Sequence, residues 1–183
     1  YLRAHANDAV HWQQLDASIL QKARAENKLI FLSSGFNACH WCHVMRKESF
    51  LDKQVGALIN QHFIAVKVDR EMSPVLDTYL LEFVRQATGR AGWPLNVVLT
   101  PEGYPLTGFV YLKPAELMRV MGNLQSKWQA EQAALNKLAV DAFKAGQHFK
   151  ELLAAEEQSN KLLFKSLLST MKPLMSKGTP EQC

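Results

Sequence analysis

The chain has few cysteines, three in 183 residues, and lacks any apolar run approaching the roughly 18 residues needed to span a bilayer. Three cysteines are too few for a disulfide-stapled mini-fold. There is no internal repeat and no low-complexity tract. There is also no block of like charge. The net charge of +4 comes from 21 basic and 17 acidic residues, scattered and often adjacent, as in Arg46-Lys47-Glu48. That distribution describes a solvated surface and not a nucleic-acid footprint. The sequence begins at Tyr1 without a methionine, which leaves two expectations, a removed signal peptide or a trimmed chain. With 48% hydrophobic and 21% charged residues, the composition is that of a globular protein, sized for one ordinary domain and an extension.

Against these absences one stretch stands out, Cys39-His40-Trp41-Cys42-His43. It follows an apolar run, Leu29-Ile30-Phe31-Leu32, so two thiols two residues apart stand where a buried strand passes into a helix. The third cysteine, Cys183, is the last residue and reads as an unpaired terminal thiol, intermolecular pairing being the alternative.

The rest of the chain alternates. Residues 1–15 form an ordered arm anchored by Tyr1, Leu2, Val10, Trp12 and Leu15. Asp16 or Ser18 caps a helix to about Asn27, and residues 28–33 form a strand whose continuous apolar run suggests a parallel sheet covered on both faces. A helix after the Cys pair carries Val44, Met45, Phe50, Val55, Leu58 and Ile59 and bends near residues 49–52. A strand of residues 64–68 ends at Asp69, and Pro74 opens a helix with Leu76, Tyr79, Leu80, Phe83 and Val84 at helical spacing. Residues 95–99 and 106–112 read as strands joined by a turn at Pro101-Glu102-Gly103. From Pro114 onward the pattern is helical, with stripes at Leu124, Trp128, Leu135, Leu138 and Phe143, and at Leu162, Leu163, Phe164, Leu167, Leu168 and Met171. Alternation first and a hairpin last describe an α/β fold with a central mixed sheet flanked by helices.

Thiol–disulfide exchange needs an attacking thiolate and a second thiol that resolves the mixed disulfide. At the first turn of a helix the N-terminal sulfur faces unpaired backbone N–H groups, a setting that lowers a thiol pKa from about 8.5 to roughly 3.5–7.5. Cys39 is therefore the expected attacking thiol and Cys42 the buried resolving thiol. A protonated His40 stabilises the Cys39 thiolate, Trp41 offers an apolar platform to a partner chain, and His43 stands where it could relay protons. The plain alternative for both histidines is a polar residue at a helix start. The same five letters also spell the attachment motif of c-type haem, but that site needs a distal ligand in a small helical fold, and this motif follows a buried strand. Zinc or copper is a further alternative. Four ligands within five residues cannot easily surround one ion, so His5, His11 or His62 would have to join Cys39 and Cys42.

Several motifs in order carry a family resemblance: Tyr1-Leu2 with His5-Ala6 and Trp12, the run from Cys39 to Met45, Glu48-Ser49-Phe50, the run from Val66 to Glu71, and Gly92-Trp93-Pro94-Leu95-Asn96. Over residues 1–112 the chain resembles the thioredoxin-like domain of the spermatogenesis-associated thioredoxin family and its bacterial YyaL-type relatives. The resemblance implies a thioredoxin fold, with residues 1–125 as the thioredoxin-like domain including the arm and 126–183 as a helical extension and polar tail. It also implies that Trp93-Pro94 is a cis-proline turn facing the Cys pair, where an extended substrate segment can pair with the backbone.

Two departures follow from the same comparison. Thioredoxins proper carry a buried carboxylate six residues before the first Cys, and that position here is Ser33. The proton acceptor for Cys42 must then be a water, His43, or a carboxylate such as Asp69 or Glu48. Asp69 reads equally as a turn or salt-bridge residue beside Arg70. Long family members also continue into a large helical domain, whereas only about 70 residues follow here. The expected function is a thiol–disulfide oxidoreductase acting on protein dithiols or disulfides with an unknown redox partner, without cofactor or metal. A binding module with a metal-binding or redox-sensing Cys/His cluster is the alternative. The C-terminal stripe, with Lys161, Lys165, Lys172 and Lys177 beside it, could pair two chains. Size and the missing methionine fit an exported, periplasmic protein, with cytoplasmic residence as the alternative.

Overall fold

A computed structural model describes the backbone from Tyr1 to Met175 and the side chains as far as Lys144, Ala17 excepted. After a short 3-10 turn (Leu2–His5) come α1 (Ala17–Glu26), β1 (Leu29–Gly35), α2 (His40–Met45), a π-turn (Arg46–Phe50), α3 (Lys53–His62), β2 (Phe63–Asp69), α4 (Pro74–Thr88), β3 (Leu95–Leu99), β4 (Pro105–Phe109) and α5 (Pro114–Met175), which is interrupted at Glu131. Tyr1–Phe143 is one compact unit, and a second begins at Lys144. Within the first, Leu117, Met121, Trp128 and Ala139 of α5 are buried.

Local chemistry sets most boundaries. The Asp16 carboxylate accepts the Ser18 N–H, and Asn27 closes α1 in the left-handed conformation, as asparagine does more readily than most residues. The bend after the Cys helix is a π-turn followed by Asp52, which caps α3 through the N–H groups of Gln54 and Val55. Pro74 opens α4, where its missing N–H costs nothing.

The sheet runs β2-β1-β3-β4. β1 pairs parallel with β2 and antiparallel with β3, and β3 with β4 antiparallel. Each residue of β1 is buried, because helices cover both faces. Phe31, Met45, Phe50, Ile59 and Phe63 fill one side of the sheet, and Ile30, Leu32, Leu80, Val84 and Leu95 the other. Burying each such side chain stabilises the fold by about 1.5–3 kcal/mol.

β4 stops at Phe109, three residues short of the sequence expectation, because Asn96 donates its side-chain amide to the Val110 carbonyl where a further ladder pair would stand. Leu15 and Leu138, expected inside, are exposed (46% and 60%), while Trp12 and Trp128 nearby supply the contacts to the core. The arm serves a different purpose from that of a simple anchor. Gln13 bridges β2, taking its N–H to the Ala65 carbonyl (2.9 Å) and accepting from the Lys67 N–H (3.1 Å), so the open edge of the sheet is capped. Asn60 of α3 holds the arm through the His11 N–H and the Ala9 carbonyl. The side chains of the stripe Leu162–Met171 and of its neighbouring lysines, and Cys183 altogether, lie outside what is described, and so does the expected pairing surface.

Candidate active site

β1 delivers the chain to Gly35, and the loop of residues 36–38 turns it into α2 with Cys39 as N-cap. Cys39 is extended (φ −79°, ψ 104°), and its Sγ accepts the Cys42 N–H at 3.2 Å. The sulfurs of Cys39 and Cys42 are disulfide-bonded, with Cα atoms 5.3 Å apart, an ordinary span for a disulfide. Both cysteines are sheltered; Cys39 is 7% exposed and Cys42 2%. Cys39 is thus the more open of the pair, though only slightly.

The residues between and after the cysteines face outward. His40 is exposed and packs edge-on against Trp41, ring centres 5.7 Å apart. Trp41 is 53% exposed and its ring lies 5.1 Å from Tyr111. His43 donates from Nε2 to the Asn37 carbonyl (2.6 Å), which fixes the loop before Cys39. Glu48 accepts the Tyr111 hydroxyl.

Trp93 and Pro94 arrive from the far side of the sheet. Leu95 pairs with Ser34, so the turn before it stands at the Cys end of β1, and the Trp93–Pro94 peptide bond is cis. Phe36 in the Cys loop meets the Trp93 ring at 5.8 Å. Asp77, buried on α4, holds this corner. It accepts from the Ser34 hydroxyl (2.6 Å) and the Trp93 indole N–H (3.1 Å) and lies 3.8 Å from Arg70, whose guanidinium stacks 3.8 Å from the Trp93 ring centre. Arg70 therefore pairs with Asp77 and not with its neighbour Asp69. Asp69 instead caps the turn after β2, accepting the Glu71 N–H on its side chain and the Met72 and Ser73 N–H groups on its carbonyl.

On the neighbouring strand lies a group that the motif does not announce. Lys67 of β2 stands directly across from Ser33 and donates to its hydroxyl at 3.0 Å. Its ammonium packs over the rings of Trp12 (4.7 Å), Phe50 (4.6 Å) and Tyr1 (5.5 Å). Burial pulls its pKa down to about 7, with the charge of Asp8 opposing and that of Arg46 assisting. Beside it the Asp8 carboxylate accepts from His5 Nδ1 (2.6 Å), the Trp12 indole N–H (2.9 Å) and Arg46 Nε (2.7 Å). Burial pushes the Asp8 carboxyl up, but those three donors outweigh it and hold the group below its usual range. Burial holds the His5 imidazole below its usual value against the pull of Asp8. Tyr1 completes the floor. A β-carbon on Gly35 would collide with the Tyr1 hydroxyl and stand 2.7 Å from the Cys42 sulfur, so only glycine admits this meeting of three segments. A signal for Lys67 was in the sequence: a lysine inside the apolar run of residues 64–68 has to be explained. Asp77, inside the apolar stripe of α4, gave a similar one.

The other histidines do not join the cysteines. His5 is committed to Asp8, and His11 is exposed. Among the described residues no three His, Cys, Asp or Glu side chains are grouped to hold a metal ion, and no helix is long and apolar enough to cross a membrane.

A strand-to-helix Cys-x-x-Cys beside a proline turn, on a mixed four-stranded sheet with helices on both faces, defines a thioredoxin-fold protein. A solution structure of a candidate disulphide-isomerase from Bacteroides thetaiotaomicron shares that fold, with a TM-score of 0.50 and 23% identity over 68% of this chain and 95% of its own. Residues 1–146 match the thioredoxin/DsbH family, described as "Protein of unknown function, DUF255", and the chain belongs to that family. It is similar to human spermatogenesis-associated protein 20, 43% identical over 67% of this chain and 16% of that protein. It is also similar to the uncharacterized protein B0495.5 of Caenorhabditis elegans, 36% identical over 92% of this chain and 24% of that protein. The chain spans less than a quarter of the length of these relatives.

Proposed function

We propose that this domain is a thiol–disulfide oxidoreductase acting on protein thiols and disulfides. The observation that carries the reading is the Cys39–Cys42 pair, disulfide-spaced at the join of β1 and α2, with Cys39 as the helix N-cap. In the reducing direction the Cys39 thiolate attacks one sulfur of a substrate disulfide, and the other leaves as a thiolate and takes a proton. Cys42 then loses its proton and attacks the Cys39 sulfur. The Cys39–Cys42 bond forms, the second substrate thiolate leaves, and two electrons have passed to the substrate. Oxidation of a dithiol runs these steps backward. Trp93 and Pro94 position the incoming chain, Trp41 gives it an apolar rim, and His40 tunes the Cys39 thiolate. His43 and Asp69 act in support, His43 by fixing the loop and Asp69 by closing the turn beside Trp93.

The test is trapping. Cys42→Ser, offered a disulfide-containing protein, is expected to accumulate a mixed disulfide at Cys39, and Cys39→Ser is expected to trap none. Alkylation of reduced wild type across pH, read by mass spectrometry, should show Cys39 reacting well below the usual thiol pKa of about 8.5. A Cys39 that alkylates like an ordinary thiol, or a Cys42→Ser chain that traps nothing, would sink the reading.

A further inference from the structure

Thioredoxins proper place a carboxylate under the second cysteine, and Ser33 occupies that place here. The buried charge that Ser33 meets has the opposite sign. Lys67, 3% exposed, reaches the Ser33 hydroxyl and no carboxylate: among the described residues it forms no ion pair. Asp8, the acid whose charge acts on it, is already engaged by three donors. The Tyr1 ring packs against the Lys67 ammonium, while its hydroxyl reaches the Gly35 backbone beside the Cys42 sulfur. That hydroxyl is shielded from solvent and has no hydrogen-bond partner while the pair is oxidised. A buried donor without an acceptor is unfavourable, and one event supplies an acceptor at that spot, the opening of the disulfide.

We propose that Tyr1 and Lys67 are positioning residues that stabilise the Cys42 sulfur as a thiolate, Tyr1 by donating its hydroxyl proton to it and Lys67 through its positive charge beneath. The proposal rests on the exchange reading above and says what tunes that site. When a substrate thiolate attacks Cys39 Sγ, the Cys39–Cys42 bond breaks and its electron pair goes to Cys42. That thiolate forms next to a neutral phenol and a cation, and not next to a carboxylate. The reduced form is thereby favoured, and the pair becomes the more oxidising for it.

Lys67 also makes the effect depend on pH. The groups facing it are Tyr1, His5 and Asp8 from the arm, Arg46 from the π-turn and Ser33 from β1. Tyr1 stays a neutral donor, since burial and then the charges of Asp69 and Asp8 raise its pKa. Burial moves His5 below its ordinary value, toward the neutral form, and its three donors hold Asp8 below the usual carboxylate range. Lys67 is thus the group in this set that changes charge near neutrality. A cleft of about 490 Å³, lined by His5, Asp8, Trp12, Gln13 and Lys67 among others, gives its proton a way to water.

The experiment is equilibrium against glutathione redox buffers, with thiols counted by alkylation and mass spectrometry, for wild type, Lys67→Met and Tyr1→Phe from pH 6 to 8. Lys67→Met should shift the equilibrium toward the Cys39–Cys42 disulfide at least tenfold at pH 6, about 30 mV. The shift should shrink as pH rises, because wild type loses the same charge. Tyr1→Phe keeps the ring over Lys67 and should shift the equilibrium in the same direction, about two- to fivefold. Shifts under twofold in both variants, or a shift toward the dithiol, overturn the proposal while leaving the exchange function standing. If Lys67→Met does not fold, Tyr1→Phe decides alone. A wild-type pair that does not equilibrate with glutathione at all overturns the exchange reading, and this proposal with it.

Discussion

Asp8 and Lys67 are buried charges in one aromatic cluster, and the structure treats them in opposite ways. Asp8 has a donor from the arm, one from the indole of Trp12 and one from the guanidinium of Arg46. Lys67 has one hydroxyl and three ring faces. A buried charge whose hydrogen-bonding capacity is used up is a fixed strut. One left short of partners is held close to giving up its charge. The first ties the arm to the turn behind the Cys helix, and the second is free to change its charge near neutral pH.

The largest test of this contrast removes the strut. Asp8→Ala leaves His5, Trp12 and Arg46 without their acceptor, and should lower the stability of the oxidised domain by about 3–5 kcal/mol. Urea denaturation followed by tryptophan fluorescence reads this directly, and a loss under 1 kcal/mol would mean that the carboxylate is dispensable.

The second test concerns Lys67 and pH. Its folded pKa of about 7 lies below the ordinary lysine value, so above pH 7 the unfolded chain binds the extra proton and the native state does not. Stability of the oxidised domain should therefore rise with pH, by about 2 kcal/mol between pH 7 and 9. Above pH 10 the trend should turn, because Tyr1 resists ionisation in the fold but not in the unfolded chain. Lys67→Met should abolish the rise and, unlike Asp8→Ala, leave the domain at pH 7 as stable as wild type or more so. A flat wild-type profile would show Lys67 to be an ordinary charged lysine.

The smallest effect belongs at the outward rim. Trp41→Ala should change stability by no more than about 0.5 kcal/mol, since half of that side chain is in water. The same change should raise KM for a protein disulfide several-fold. Equal losses in stability and activity would make Trp41 part of the core.

What the sequence disclosed was local. The Asp16 and Asp52 caps, Pro74 and the apolar strands are written in neighbouring residues, and so is the cysteine pair. The partnerships that distinguish the site join residues 34 to 43 positions apart: Lys67 with Ser33, Arg46 with Asp8, and Asp77 with Ser34. No periodicity encodes such pairs; they exist only once β1 and β2 are in register and α4 is packed. The absence of a carboxylate at Ser33 was legible, but not that a lysine on the next strand would be the partner of that serine. Leu15 and Leu138 misled for a related reason, since an apolar letter in a stripe does not say whether a neighbouring element covers it.

Gln13 caps the sheet edge by holding the backbone of Ala65 and Lys67, and the same arm carries Tyr1, His5, Asp8 and Trp12 over the Lys67 side chain. Lifting the arm would expose a strand edge able to recruit another chain, and would let water reach the lysine in the same movement. The cover of the strand edge and the shelter of the buried lysine are thereby tied to one peel-away strip, so that a chain fraying at this edge would wet its buried cation before its sheet comes apart.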